Sequence, residues 1–112
     1  MAFTDIDTDA LFSAMFGAAR REAGDAWPEL RGICKIELKA IARQIKEVGK
    51  SVSVQDVTPE AGRAILRLSR ANSGMVLAAM TPQTIATIDR VMGSALAEVR
   101  EPVRAAMGFD LL

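Results

Sequence analysis

Apolar residues recur at helical spacing along almost the whole chain, and breaks in that rhythm divide it into four stretches. The first, roughly residues 8–24, keeps Leu11, Met15, Ala18 and Ala19 on one side, widened by Phe12 and Phe16. Thr8 or Asp5 is placed to cap it, and Gly24-Asp25 to end it. The second restarts at Trp27-Pro28, where proline suits a first helical turn, and runs over 28–48. Its stripe is Leu30, Ile33, Cys34, Leu38, Ile41, Ile45 and Val48, and Gly49 stands where a left-handed cap is expected. Ser51 to Val57 alternates Val52, Val54 and Val57 with polar residues, which predicts a short extended connector.

Thr58-Pro59-Glu60-Ala61 is a strong helix start, combining a capping hydroxyl, a preset φ and a carboxylate at the positive end of the helix dipole. The third helix, 59–80, is expected to bury Ala61, Ile65, Leu68, Asn72, Met75, Val76 and Ala79. Asn72 on that stripe either fixes helix register from inside or faces solvent at the stripe's edge. Thr81-Pro82 repeats the threonine–proline start, either as a tight turn, the favoured reading, or as a bend in one long helix. A fourth helix, 82–107, then places Ile85, Ile88, Met92, Ala95, Leu96, Val99, Val103 and Ala106 inside. Pro102 within it predicts a kink near 98–102, and Gly108 its end. The pattern gives an all-α single domain over 1–112: three to four mainly antiparallel helices forming a hairpin or bundle.

Composition changes this picture little. Half of the 112 residues are apolar but only 4% are aromatic, so the core is built from aliphatic residues and Met. A single cysteine allows no internal disulfide, and Asp5, Asp7 and Asp9 stand where a secretory leader would be basic. The longest uncharged stretch, Ala71 to Ile88, is too polar to predict a membrane span. The 14 basic and 14 acidic residues cancel overall but are segregated. Residues 1–30 carry six acids and two arginines, whereas 31–72 carry nine bases and four acids.

The chemistry available is narrow. With no histidine there is no imidazole base, no activated Cys–His pair and no Glu-x-x-His di-iron motif, and no Gly-rich phosphate loop is present. No catalytic residue, cofactor or metal site is expected, and Glu22, Glu29, Glu37 and Glu47 read as surface charges. Cys34, on the second stripe, reads as a small core residue. Arg31, Lys35, Lys39 and Arg43 fall at strict four-residue spacing, stacking on one ridge of the second helix. Arg63, Arg67 and Arg70 form a shorter ridge on the third. The longer ridge either meets the acidic N-terminal segment, of the same chain or another copy, or offers a phosphate- or acid-binding face. Little aromatic interleaving is visible to stack bases, which ranks nucleic acid low. At the C-terminal end Phe109 can fold back on its own helix. Leu111 and Leu112 suggest docking into a groove of this subunit or a neighbour.

From Thr58 onward the chain resembles small helical proteins encoded in bacteriophage and prophage gene clusters. The shared residues are Pro59-Glu60-Ala61, Val76-Leu77-Ala78, Ala95-Leu96, Val99, Val103 and the ending Gly108-Phe109-x-Leu111-Leu112; Asp89 departs from the pattern, where Asn is common. The resemblance implies phage origin and a virion or assembly role, located in the virion or the bacterial host cytoplasm, and carries no activity. The expectation is a non-enzymatic structural subunit that joins copies of itself or larger virion proteins. Phe109, Leu111 and Leu112 would be its apolar anchors, and the ridge Arg31, Lys35, Lys39 and Arg43 would orient it. The alternative is a small inhibitor or adaptor that binds a host protein or nucleic acid through that ridge.

Overall fold

A computed structural model describes residues 6–112, and among these the regular structure is entirely helical. Helix α1 spans Thr8–Ala23 and α2 spans Trp27–Ser53, joined by a 3-10 turn at Gly24–Ala26. Helix α3 spans Pro59–Met80 and α4 spans Ile85–Met107. Twenty-seven residues of α2 make about 40 Å of helix, which matches the longest dimension of the molecule, 41 Å.

Contacts between helices fix their directions. Phe12 and Phe16 of α1 meet Lys39 and Trp27 of α2, so the two run antiparallel. Glu37 meets Ser73, while Val48 and Val52 meet Gly62, which sets α2 against α3 in the same sense. Arg70 of α3 reaches Asp89 near the start of α4. Arg21 and Glu22, at the end of α1, reach Glu98 and Ser94 of α4. Each helix thus packs against two others in an up–down–up–down bundle. The turn at residues 81–84 separates α3 from α4 and lets them pack side by side. Around this ring α1 sits most closely on α4, where Ala18, Ala19 and Ala95 are all buried, and the α3–α4 side is the most open.

The wholly buried side chains include Met15, Leu30, Cys34, Leu38, Ile45, Leu77, Met92, Val99 and Val103. They form one aliphatic core, as the composition requires. Gly24 ends α1 at φ 54° and Gly108 ends α4 at φ 84°, both in the left-handed region that glycine tolerates. The Thr58 hydroxyl accepts the Ala61 amide at 3.1 Å, as the start signal predicts. Helix α4 continues through Pro102 to Met107.

Four expectations are corrected. Helix α1 is capped by Asp7, whose carboxylate accepts the Asp9 amide, and not by Thr8, which is its first residue; Asp5 lies outside the described residues. Helix α2 does not stop at Gly49 but runs to Ser53, replacing the first part of the supposed extended connector. The reason is burial: Val48, Gly49 and Val52 are covered, and Val48 and Val52 prolong the inward stripe by one more turn against α3. The left-handed residue of this link is Gln55, at φ 65°. Helix α4 starts at Ile85, capped by Thr84, whose hydroxyl accepts the Thr87 amide. Thr81 instead ends α3, its hydroxyl donating to the Leu77 carbonyl at 2.7 Å, in the extended backbone favoured before proline.

The largest correction concerns α3. Its inward residues are Gly62, Leu66, Ser73 and Leu77, not the expected stripe. Leu68 is 65% exposed and Met75 70%, whereas Leu77 is completely covered. Ala61, Ile65, Asn72, Val76 and Ala79 are exposed with them. Ile85 at the start of α4, expected inside, is also exposed.

Candidate interaction surface

Three surfaces bear on binding: the basic ridge of α2, the C-terminal segment and the outer face of α3. Arg31, Lys35, Lys39 and Arg43 are all exposed, as four-residue spacing on the outside of α2 requires. Among the described residues none of them joins an ion pair, so no acidic partner from Asp7 or Asp9 reaches the ridge. Lys39 instead lies over the Phe12 ring, its Nζ 5.5 Å from the centroid.

The fold brings to this ridge something its own sequence lacks. Phe12 and Phe16 stack with centroids 5.1 Å apart, and Phe16 meets Trp27 edge-on at 4.9 Å. Together with Arg20 and Arg31 they line a shallow open cleft between α1 and α2. Aromatic residues were missed beside the ridge because they lie on a different helix. The available signal was the spacing of Phe12 and Phe16, one helical turn apart, with Trp27 just beyond the turn.

The C-terminal segment is tied to its own chain. The Leu111 side chain is 2% exposed and reaches the α2–α3 contact at Gly62, where a Cβ would lie 3.2 Å from Leu111 Cδ1. Phe109 and Leu112 are half-buried against the same core. Arg63 donates to the Asp110 backbone carbonyl at 2.7 Å, and the Asp110 carboxylate pairs with Arg104 at 3.3 Å. Two members of the shorter basic ridge thereby serve the fold: Arg63 holds this segment and Arg70 pairs with Asp89 at 3.6 Å.

Three of the glutamates read as surface charges also tie elements together, two of them helix to helix and Glu29 to the α3–α4 turn. Glu22 accepts from the Ser94 hydroxyl at 2.8 Å, Glu29 from the Gln83 amide at 2.8 Å, and Glu37 from the Ser73 hydroxyl at 2.9 Å. Cys34 is fully covered in the core. Burial pushes its thiol up to about 11, with the nearby Glu37 charge adding to the shift, which keeps it protonated near neutrality.

The outer face of α3 is apolar through Ile65, Leu68, Met75, Val76 and Met80, interrupted by the exposed Asn72. It continues past Met75 into a groove of about 320 Å³ between α3 and α4, lined by Ala71, Gly74, Ala78, Ile85, Ile88 and Met92 together with Arg70 and Asp89. Scattered exposed apolar residues are ordinary, but a contiguous face of this kind is the usual mark of a contact surface. No helix among the described residues is long and apolar enough to cross a membrane. Compared with protein families, with curated proteins and with solved structures, the chain matches none.

Proposed function

We propose that this chain is a non-enzymatic structural or assembly subunit, and that its setting is the phage particle implied by the resemblance. It acts by presenting a helix face to copies of itself or to a larger virion protein. The observation that carries this reading is the outward apolar face of α3, where Leu68 and Met75 stand mostly in solvent while Leu66 and Leu77 fill the core. Such a face costs solubility unless a partner covers it. The C-terminal segment has a supporting role, since Leu111 helps to fix α3 in place and only Phe109 and Leu112 remain partly accessible.

The reading is tested in particles. Purified virions from a host carrying the gene should contain the chain, and deleting the gene should lower the yield of intact particles. A Leu68→Glu variant should fold and be lost from the particles. Particles that lack the wild-type chain and form normally without it would overturn the reading.

A second reading has its own observation: the exposed ridge of α2 stands beside the aromatic cleft of Phe12, Phe16 and Trp27. An adaptor or inhibitor could hold an acidic or phosphate-bearing partner there, with salt-sensitive affinity. Lys35→Glu combined with Lys39→Glu should then abolish binding at unchanged helicity. Binding indifferent to both charge reversal and salt would exclude it.

A further inference from the structure

The outward face of α3 has a finer pattern than apolarity. Ala61, Ile65, Leu68, Asn72, Met75 and Ala79 are all exposed, and they follow one another at spacings of four, three, four, three and four residues. That is the a/d rhythm of a coiled-coil seam, with Ile65, Asn72 and Ala79 at a and Ala61, Leu68 and Met75 at d. We infer that this seam pairs α3 in parallel, in register, with α3 of a second copy of the chain. This names the partner for the face in the assembly reading, and rests on that reading for its biological setting only.

Four features select a second copy over another partner. Ile65 at a followed by Leu68 at d supplies one step of the combination that favours two parallel strands. Asn72 is the second feature: its carboxamide both donates and accepts, so in a parallel pair each Asn72 meets the other across the seam. In an antiparallel pair it would face a d-position Leu68 or Met75 and lose its partner. The third is charge. Residues flanking the exposed part of the seam are Ala64, Ala71 and Ala78 on one side and Ser69 and Val76 on the other, so no charge stands directly beside it. Nor do they offer the charged flanks by which a different helix is usually chosen. Of the α3 cations, Arg63 and Arg70 are turned to Asp110 and Asp89 of their own chain, and Arg67 stands exposed at c, outside the flanking positions.

Area is the fourth. With 22 residues α3 is about 33 Å long, and a stripe about 15 Å wide covers about 500 Å² per copy. The pair then hides about 1,000 Å², at the lower end of what specific association needs. A micromolar dimer is expected, rather than one that persists at any dilution.

Sedimentation equilibrium from about 1 to 200 µM tests this on the full chain, since micromolar affinity places the transition inside that range. The mass should rise from 12.0 kDa to twice that value. Leu68→Glu should hold it at one chain, with circular dichroism, and melting at concentrations below the dimer transition, unchanged because Leu68 is exposed. Orientation is read by cysteine cross-linking under mild oxidation. Ala61→Cys alone and Ala79→Cys alone should each give covalent dimers. Cross-links that form only when the two variants are mixed would mean antiparallel pairing and overturn the proposal. A dimer unaffected by Leu68→Glu would place the contact elsewhere and also overturn it. One chain mass at every concentration would overturn self-pairing. If Leu68→Glu were then still lost from particles, a different protein covers the face and the assembly reading stands; if particles retained it, both would fall.

Discussion

Helices α3 and α4 have nearly the same length, 22 and 23 residues, and each carries a stripe of large apolar residues at helical spacing. In α4 the stripe Ile88, Met92, Ala95, Val99 and Val103 lies in the core. In α3 the stripe Ile65, Leu68, Met75 and Val76 lies outside, and the core receives Leu66 and Leu77 from a sparser side. The difference is one of surroundings. Helix α4 has α1 along one flank and α3 along the other, and Leu111 returns over its far end. Helix α3 meets α2 through Gly62 and Ser73, two small residues that bring the backbones close and leave the bulkier positions facing away. A strong stripe therefore says that an apolar partner exists, and leaves open whether that partner belongs to the same chain.

The sharpest way to break this contrast is to shorten one leucine on each side of α3. Leu77→Ala should cost about 2–5 kcal/mol of stability, as buried leucines do. Leu68→Ala should cost less than about 0.5 kcal/mol, the ordinary range for surface positions. Urea unfolding of the monomer at low concentration measures both; equal losses would mean that α3 is rotated in solution. The same titration on Leu111→Ala should show a loss of about 2–3 kcal/mol, because this residue closes the core at the α2–α3 contact. An effect below 0.5 kcal/mol would leave the segment idle.

Two glycines sharpen the comparison within α3 itself. A Cβ at Gly62 would lie 3.0–3.2 Å from Val52, Val48 and Leu111, whereas at Gly74 it would touch nothing within 4 Å. Gly62→Ala should lose about 1 kcal/mol net, since overpacking of roughly 1–3 kcal/mol exceeds a helix-preference gain of about 1 kcal/mol. Gly74→Ala should gain about 0.5–1 kcal/mol in the same assay. A stabilising Gly62→Ala would show that the α2–α3 contact is looser than its distances imply.

The effect that is smallest near neutrality, and grows only in alkali, is a pH dependence in the core that both helices cover. The Cys34 thiol is raised from 9.0 to about 11 in the folded chain, so the unfolded chain loses its proton first as pH rises. This contribution to stability is complete below about pH 9 and is lost as pH rises towards and through about 11. At pH 8 the thiolate should be about a hundredfold scarcer than in the unfolded chain, and labelling by a thiol reagent correspondingly slow. Leu77→Ala should quicken that labelling and Leu68→Ala should leave it unchanged.

Much of the fold was legible where a local rule acts alone. Thr58 as a cap, Gly24 and Gly108 as helix ends, and the α2 stripe from Leu30 to Val48 needed no knowledge of neighbours. Gly49 misled because a glycine can end a helix or lie covered inside one, and the stripe that Val48 and Val52 continue against α3 decides which. Thr81 and Thr84 compete for one capping role, and the backbone before Pro82 settles it. The α3 face was misread because seven positions on the outer stripe outvoted Gly62, Leu66, Ser73 and Leu77, two of which are hardly apolar at all. As for the binding surfaces, the α2 ridge was visible as a spacing, but its aromatic neighbours required the α1–α2 hairpin to close.

A guanidinium that grips a main-chain carbonyl measures length, not identity. Arg63 holds the carbonyl of Asp110, which any residue would supply, and Leu111 enters its seat one residue later. This end of the molecule should therefore accept nearly any side chain at position 110, losing only the exposed pair with Arg104. One residue inserted between Gly108 and Leu111 would instead carry the leucine past its seat and loosen the α2–α3 junction. Here the fold is tolerant of spelling and strict about count.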